Sequence, residues 1–460
     1  MGMPSIRVFW VVIGATGLVL LMLNAQKLSL LKPRSSLRSF GRAQASQGDG
    51  REILGRIPFY LYPLTDFAEV NGKCDIPVGS KYRFTHRNDT LPVLFYEKLQ
   101  HHKWRVENPN DAALFVPPIN VDMAVGGGCG NVQQYMTAVK TVLEGLKPFK
   151  DKKSHLTLMG SAKAVARMRN DRHAYMRFLN KFIIGSSNWK RLDIGKEYCS
   201  FKVPYLPDKI PNNALDEGDL QKQSAEQYAN RESVAAMIAR ATDIREANAD
   251  RRFVVEVMSK MKSKSYLYFF GPERSKEQES WFEDFDMPRC KETLAGCSLR
   301  LPENADADLE STKRWKQLSE SRFNLQFAHD VFGSQKLENA ALVGTFNVIL
   351  DDTALDYVIP FPCLLPWTQM TYYMNKSAFI KNPSALLTEA INGDQSNFAT
   401  RLQLYQDHIA DILWVHPTSR VAENVLLTAA RRCIPEAHLN EQRLTKFDYQ
   451  CTSSVYSESG

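Results

Sequence analysis

Residues 321–367 read SRFNLQFAHDVFGSQKLENAALVGTFNVILDDTALDYVIPFPCLLPW. A strand ends near Phe327, a polar loop follows, Gly333 and Ser334 open a helix through SQKLENAALVG, and FNVIL from residue 346 is a second strand. Strand, helix and strand in so short a span predict parallel pairing with a helical crossover. The free N–H groups and positive dipole end of such a helix favour a phosphate, so Ser334 and Lys336 are candidate phosphate contacts. Glu338 and Asn339, in the same helix, are candidates for a ribose hydroxyl. A plainer reading of the same residues makes Ser334 a helix cap and Lys336 a solvated surface charge.

Upstream the same alternation recurs. IPFYLY (57–62) is a buried-strand candidate, LPVLFYEKLQHH (91–102) has helical spacing with Leu94, Phe95 and Leu99 along one side, and residues 112–116 form a short apolar strand before a double proline. Residues 211–252 turn rich in Ala, Glu, Gln, Asp and Arg and read as a helical linker, after which the strand YLYFF (266–270) closes at Gly271. The expected fold class is α/β with two lobes, at 55–250 and 251–415, and a C-terminal helix and tail at 416–460. Ligands in open parallel sheets sit beyond the carboxyl ends of the strands, which places the chemistry in a cleft between the lobes.

The 460 residues suffice for two or three domains, and 44% hydrophobic with 24% charged residues excludes global disorder and a multi-span membrane protein. The net charge of +7 is concentrated at the start: residues 1–51 hold seven Lys and Arg against Asp49 alone. The folded part therefore lacks the basic excess of a nucleic-acid binder. Residues 8–23 are uncharged and almost wholly apolar, ~24 Å of helix, and predict a signal anchor within 1–26, with 27–54 as a flexible stem. A cleaved signal peptide is the competing reading, opposed by Leu23 where a small residue is needed.

Lys27, Lys32, Arg34 and Arg38 after the run argue against a lumenal body, whereas the sequons at Asn88 and Asn375 argue for one. Eight cysteines without a CxxC pair fit disulfides in an oxidising lumen better than a zinc ribbon, and several as buried thiols remain the plain alternative. Cys290 and Cys297 are the first candidate pair. GGGCG (126–130) lacks the spacing of a phosphate-binding loop and reads as a tight turn. Asp284-Phe-Asp286 and Asp306-Ala-Asp308 have the DxD form of manganese-dependent transferases, but the form is common by chance and no metal is expected.

The segment 321–367 resembles the donor-binding stretch of exostosin-type glycosyltransferases. Ser321, Phe323, Leu325, Asp330, Ser334, Ala340, Gly344, Val348, Asp352, Pro360, Phe361 and Trp367 fall into that family's register. YLYFFGPER, with Phe270, Gly271 and Arg274, resembles an upstream strand of the family, and ENPNDAALFVPP, IPFYLYPLTDF and CSFKVPYLP resemble parts of its N-terminal lobe. The resemblance implies two Rossmann-like lobes of GT-B type and an inverting, metal-independent transferase without a cofactor; together with the apolar run at 8–23 it makes the expectation a single-pass type II protein of the Golgi membrane. Its C-terminal lobe would hold a nucleotide sugar, usually a uridine diphosphate sugar, and its N-terminal lobe a glycan or glycoprotein acceptor. Donor binding would then fall to Gly271, Arg274, Asp330, Ser334, Lys336, Glu338, Asn339 and Asp352. The general base is not identified by the resemblance; Asp122 is the first candidate, with His155 and His173 behind it.

Departures from the family pattern stand at Phe327, His329, Lys336 (for Arg), Asn339 (for the ribose-binding acid) and Thr345-Phe346-Asn347 (for Cys-Ile-Pro). A lysine lacks the planar fork with which arginine grips a diphosphate at two points. The alternative function is thus a weakened or inactive relative acting as a glycan-binding subunit or as the stabilising partner of another transferase.

Overall fold

The computed structural model describes residues 56–74, 90–151, 154–161, 171–187, 199–206, 225–231, 233–240, 265–270, 296–298, 315–327, 335–350, 359–362, 364–382 and 398–434, with isolated positions between them. The expected anchor and stem lie outside these residues. Among the described residues no helix is long and apolar enough to cross a membrane.

The first sheet contains β1 (Phe59–Leu61), β2 (Arg105–Val106), β3 (Leu114–Val116), β4 (His155–Met159), β5 (Phe182–Ser186) and β6 (Ser200–Lys202). Its order is β2-β1-β3-β4-β5-β6, with every pair parallel. A parallel sheet must be covered on both faces, and its strands are accordingly apolar at successive positions rather than at alternate ones. Phe59, Leu61, Leu114, Val116, Leu156 and Leu158 face one core, whereas Phe115, Met159, Phe182 and Ile184 face another. The first core is covered by α1 (Leu91–Gln100), which buries Leu91, Phe95 and Leu99. The second core is covered by α2 (Val121–Gly126) and α3 (Val132–Gly145), the latter burying Tyr135, Met136, Val139 and Leu143.

The second sheet contains β7 (Ser233–Arg240), β8 (Ser265–Phe270), β9 (Gly296–Ser298), β10 (Ser321–Phe327), β11 (Phe346–Leu350) and β12 (Tyr372–Met374). The order β12-β11-β10-β7-β8-β9, again all parallel, is the doubly wound Rossmann order, with its topological switch between β7 and β10. Helix α4 (Gln335–Leu342) crosses from β10 to β11, as the spacing of residues 321–350 predicts. The strand at 233–240 corrects the helical linker expected there: the second sheet already begins at Ser233, ahead of residue 251. SVAAMIAR misleads because alanine favours helices, while pairing on both sides with β8 and β10 overrides that local preference.

Two C-terminal helices close the structure, α5 (Phe398–Ile412) and α6 (Val421–Cys433). Buried Asp411 joins them: Arg420 donates to both of its carboxylate oxygens, at 2.9 and 2.8 Å, and His408 Nδ1 lies 2.9 Å away. Helix α6 returns to the first sheet, where Cys433 forms a disulfide with Cys199 at the start of β6. A second disulfide joins Cys74 to Cys129. Of the pair expected first, Cys290 lies outside the described residues and Cys297 is described in its backbone alone, within β9.

Gly185, in the middle of β5, is a local packing limit. A Cβ there would stand 2.5 Å from Leu158 Cδ2 and 2.9 Å from Val203 Cγ1. Gly185→Ala should therefore lower the unfolding free energy by about 1–3 kcal/mol, the usual cost of overpacking, as read by urea denaturation. An unchanged midpoint would contradict the packing described.

Candidate functional site

The carboxyl ends of the first sheet's strands are knit together by buried polar groups. After β3 the chain passes Pro117 and Pro118 to Asn120, whose side chain caps α2 by accepting from the Met123 amide at 3.1 Å. Asp122, in the first turn of that helix, accepts from the Gly160 amide at 2.6 Å and the Ser161 amide at 3.0 Å, just past β4. Ser187, just past β5, donates its hydroxyl to the Gly160 carbonyl at 3.0 Å. Lys202, the last residue of β6, donates from Nζ to the Ser187 carbonyl and sits 4.5 Å from the centroid of the Tyr205 ring. The Tyr205 amide then donates to Glu338 Oε1 in α4 at 3.0 Å. A continuous polar line thus runs from the loop after β3 to the crossover helix of the second sheet.

Burial lowers the pKa of the Lys202 ammonium to about 7, and the nearby Glu338 carboxylate works against that lowering. The Tyr205 phenol is pushed upward by burial and then by Glu338. Both effects reflect charge withdrawn from water where the two sheets meet.

These positions change the roles expected of two carboxylates. Asp122 is 1% exposed and both oxygens are engaged by backbone amides, so it organises the Gly160–Ser161 turn instead of facing open space as a base would. Glu338 is also 1% exposed, and its Oε1 accepts from the Tyr205 amide. His155 is a core residue: Nε2 lies 2.9 Å from the Tyr62 hydroxyl, and the ring stacks on Tyr62 and Phe115. His173 pairs with the Tyr175 hydroxyl at 3.0 Å.

On the donor side, Asn339 is buried in α4 beside Glu338, and Lys336 belongs to the same helix with only its backbone described. Gly271, Arg274, Asp330, Ser334 and Asp352 lie outside the described residues, as do Asn88 and both DxD pairs. Asn375 is exposed and caps the following helical turn by accepting from the Ala378 amide at 2.8 Å. GGGCG forms a tight turn, with Gly127 and Gly130 at φ 92° and 71°, where a side chain would be strained. Among the described residues no group of three or more His, Cys, Asp or Glu side chains is placed to hold a metal ion.

Two of the family departures have packing roles. Asn347, fully buried in β11, accepts from Asn324 at 2.8 Å and from Gln326 at 2.7 Å. Its amide nitrogen donates to the Leu337 carbonyl of α4 at 3.2 Å and to the Tyr405 hydroxyl at 2.9 Å. Thr345 accepts from Arg231 at 2.7 Å, and the same guanidinium donates to the Ser321 and Val343 carbonyls at 2.6 and 2.7 Å. Sequence reading overlooked Lys202, Tyr205 and Arg231. A lone lysine in the otherwise apolar FKVPYL was the available sign.

No protein-family model matches the chain, and neither does any curated protein. Among solved structures, the chain is similar to Anabaena HepE in complex with UDP, at 10% identity and TM-score 0.39, covering 81% of this chain and 99% of that one. It is similar to an OtsA apo structure, also at 10% and 0.39, covering 76% and 77%. A glycosyltransferase from Rickettsia africae matches at 9% and 0.37, covering 81% and 98%. With every TM-score among these below 0.5, the functional reading rests on this chain's own residues and strand order.

The Lys202 environment predicts a pH effect on stability. From about pH 7 up to ~10.4 the unfolded lysine still holds its proton while the buried one has released it, so stability rises with pH across that window. The stability of the wild type relative to Lys202→Met should therefore increase between pH 7 and about 9.5 in urea titrations. A pH-independent difference would contradict the shift.

Proposed function

We propose that this chain is a GT-B type, exostosin-like glycosyltransferase that moves a sugar from a nucleoside diphosphate, best matched by a uridine diphosphate sugar, to a glycan acceptor. The observation that carries this reading is the β10–α4–β11 unit. It bears the family-like residues and adjoins the switch point of a Rossmann-ordered sheet, beyond whose carboxyl ends ligands bind. In this reading the second lobe holds the donor and the first the acceptor.

Sugar transfer leaves negative charge on the departing diphosphate, and without a metal that charge must be met by fixed cations and amides. Arg274, Lys336 and the helix opening at Ser334 are the groups proposed for this task, with Asn339 at the ribose. Transfer is proposed to invert the anomeric centre, with a base on the acceptor side taking the hydroxyl proton.

The weakened-enzyme alternative keeps His329, Lys336 and Asn339 as its motives. Thr345 and Asn347 no longer count towards it, because their partners within the fold account for them. We place the protein in the secretory pathway, anchored near its N-terminus in the Golgi membrane with the body lumenal. The disulfides Cys74–Cys129 and Cys199–Cys433 support an oxidising compartment.

Calorimetry against a panel of uridine and guanosine diphosphate sugars tests the donor reading. Lys336→Ala and Arg274→Ala should each weaken binding by about 1–3 kcal/mol, roughly 5- to 150-fold in Kd. Wild-type affinity in both variants would remove them as phosphate contacts, and no binding to any donor would reject the enzyme. After secretory expression, endoglycosidase should remove two glycans, one lost in Asn88→Gln and the other in Asn375→Gln. An unglycosylated product would reject the lumenal placement.

A further inference from the structure

Residues 199–206 make the described polar and covalent links from the first sheet to the second sheet's helices. Cys199 is bonded to Cys433 of α6, the Pro204 carbonyl accepts from the Trp414 indole at 3.0 Å, and the Tyr205 amide donates to Glu338 at 3.0 Å. Helix α4 is fixed to its own sheet by two other groups. Asn347 reaches the Leu337 carbonyl, and Arg231 reaches the Val343 carbonyl just beyond the helix end. Glu338 therefore adds a different constraint, setting α4 against the first sheet. Lys202 stands behind it, tied to the Ser187 carbonyl and lying over the Tyr205 ring, with its charge acting on Glu338. The mechanism proposed above uses neither side chain.

We propose that Lys202 and Glu338 are positioning residues for the nucleotide sugar: bridged by Tyr205, the pair locks α4 against the carboxyl edge of the first sheet, presenting the turn that carries Lys336 and Asn339 to the donor. This inference rests on the donor reading of α4. It assigns Glu338 a role through the helix rather than through contact with the ribose. A buried charge left without its opposite is costly, whereas replacing both partners by neutral groups of similar size is well tolerated. That asymmetry separates positioning from direct contact.

The test compares the full chain with Glu338→Ala, Lys202→Met and the double variant Lys202→Met/Glu338→Gln. At pH 6, below the Lys202 pKa of about 7, UDP affinity is read by calorimetry and hydrogen exchange is read across residues 335–343. Each single variant should weaken UDP binding ~10-fold and accelerate exchange in α4. In the double variant, the carboxamide oxygen that replaces the carboxylate still accepts from the Tyr205 amide, and no unmatched charge remains. Affinity and exchange should both return to within about threefold of wild type. Loss of UDP affinity in the double variant despite normal exchange would place Glu338 on the ligand and overturn the proposal. Unchanged exchange in both single variants would overturn it as well. A wild type that binds no UDP would instead reject the donor reading, with the exchange data still deciding whether the pair holds the helix.

Discussion

The hydrogen bond from the Tyr205 amide to Glu338 joins the carboxyl edge of the first sheet to the crossover helix of the second. Parallel strands bring polar chain ends to one edge, and their carbonyls and amides need partners there once helices cover both faces. In the first sheet that need is met in sequence by Asp122, Ser187 and Lys202. Glu338 extends the same solution across to the second sheet. The groups that satisfy the edge of one sheet thereby also orient a helix of the other.

The second sheet solves its own problem with amides in place of ions. Asn324, Gln326 and Asn347 lie on neighbouring strands β10 and β11 and bond to one another within the core, with Tyr405 of α5 completing the set. The register that aligns Asn324 with Asn347 makes this cluster possible. Where the exostosin-type pattern has Cys-Ile-Pro, this chain has Thr345-Phe346-Asn347, and Asn347 makes a polar joint between strand and helices. Buried amides that bond one another tie a unique arrangement at modest net gain, whereas one left unpaired is expensive. Positions 345 and 347 are therefore held by partners within the fold, at residues 231, 324 and 405.

The alternation of strands and helices was legible because apolar runs such as IPFYLY and FNVIL are bounded by proline, glycine or charge. Strand β7 was not, since Ala-rich SVAAMIAR carries helix preference and becomes a strand only through its neighbours. In the candidate site the sequence marked out the helix of residues 335–342 but not the partners of each side chain. Asp122 and Glu338 look like chemistry in one dimension. In three dimensions, backbone amides 38 and 39 positions away engage both oxygens of Asp122, and one 133 positions away engages Oε1 of Glu338. Only long-range contacts distinguish a carboxylate that reacts from one that holds the chain.

Apolar side chains could have stood in place of Lys202 and Glu338 on either side of Tyr205, and would have been at least as stable. Hydrophobic packing, however, has little directional preference, so two lobes pressed together by it alone can slide or rotate at small cost. A carboxylate that must meet one amide at 3.0 Å permits far fewer orientations. Proximity effects in group transfer are lost with misplacements of about 1 Å. Directional fixing of the crossover helix therefore constrains the two lobes more narrowly than additional burial would. That advantage explains the presence of an ionisable pair in a place where net stability alone would favour leucine.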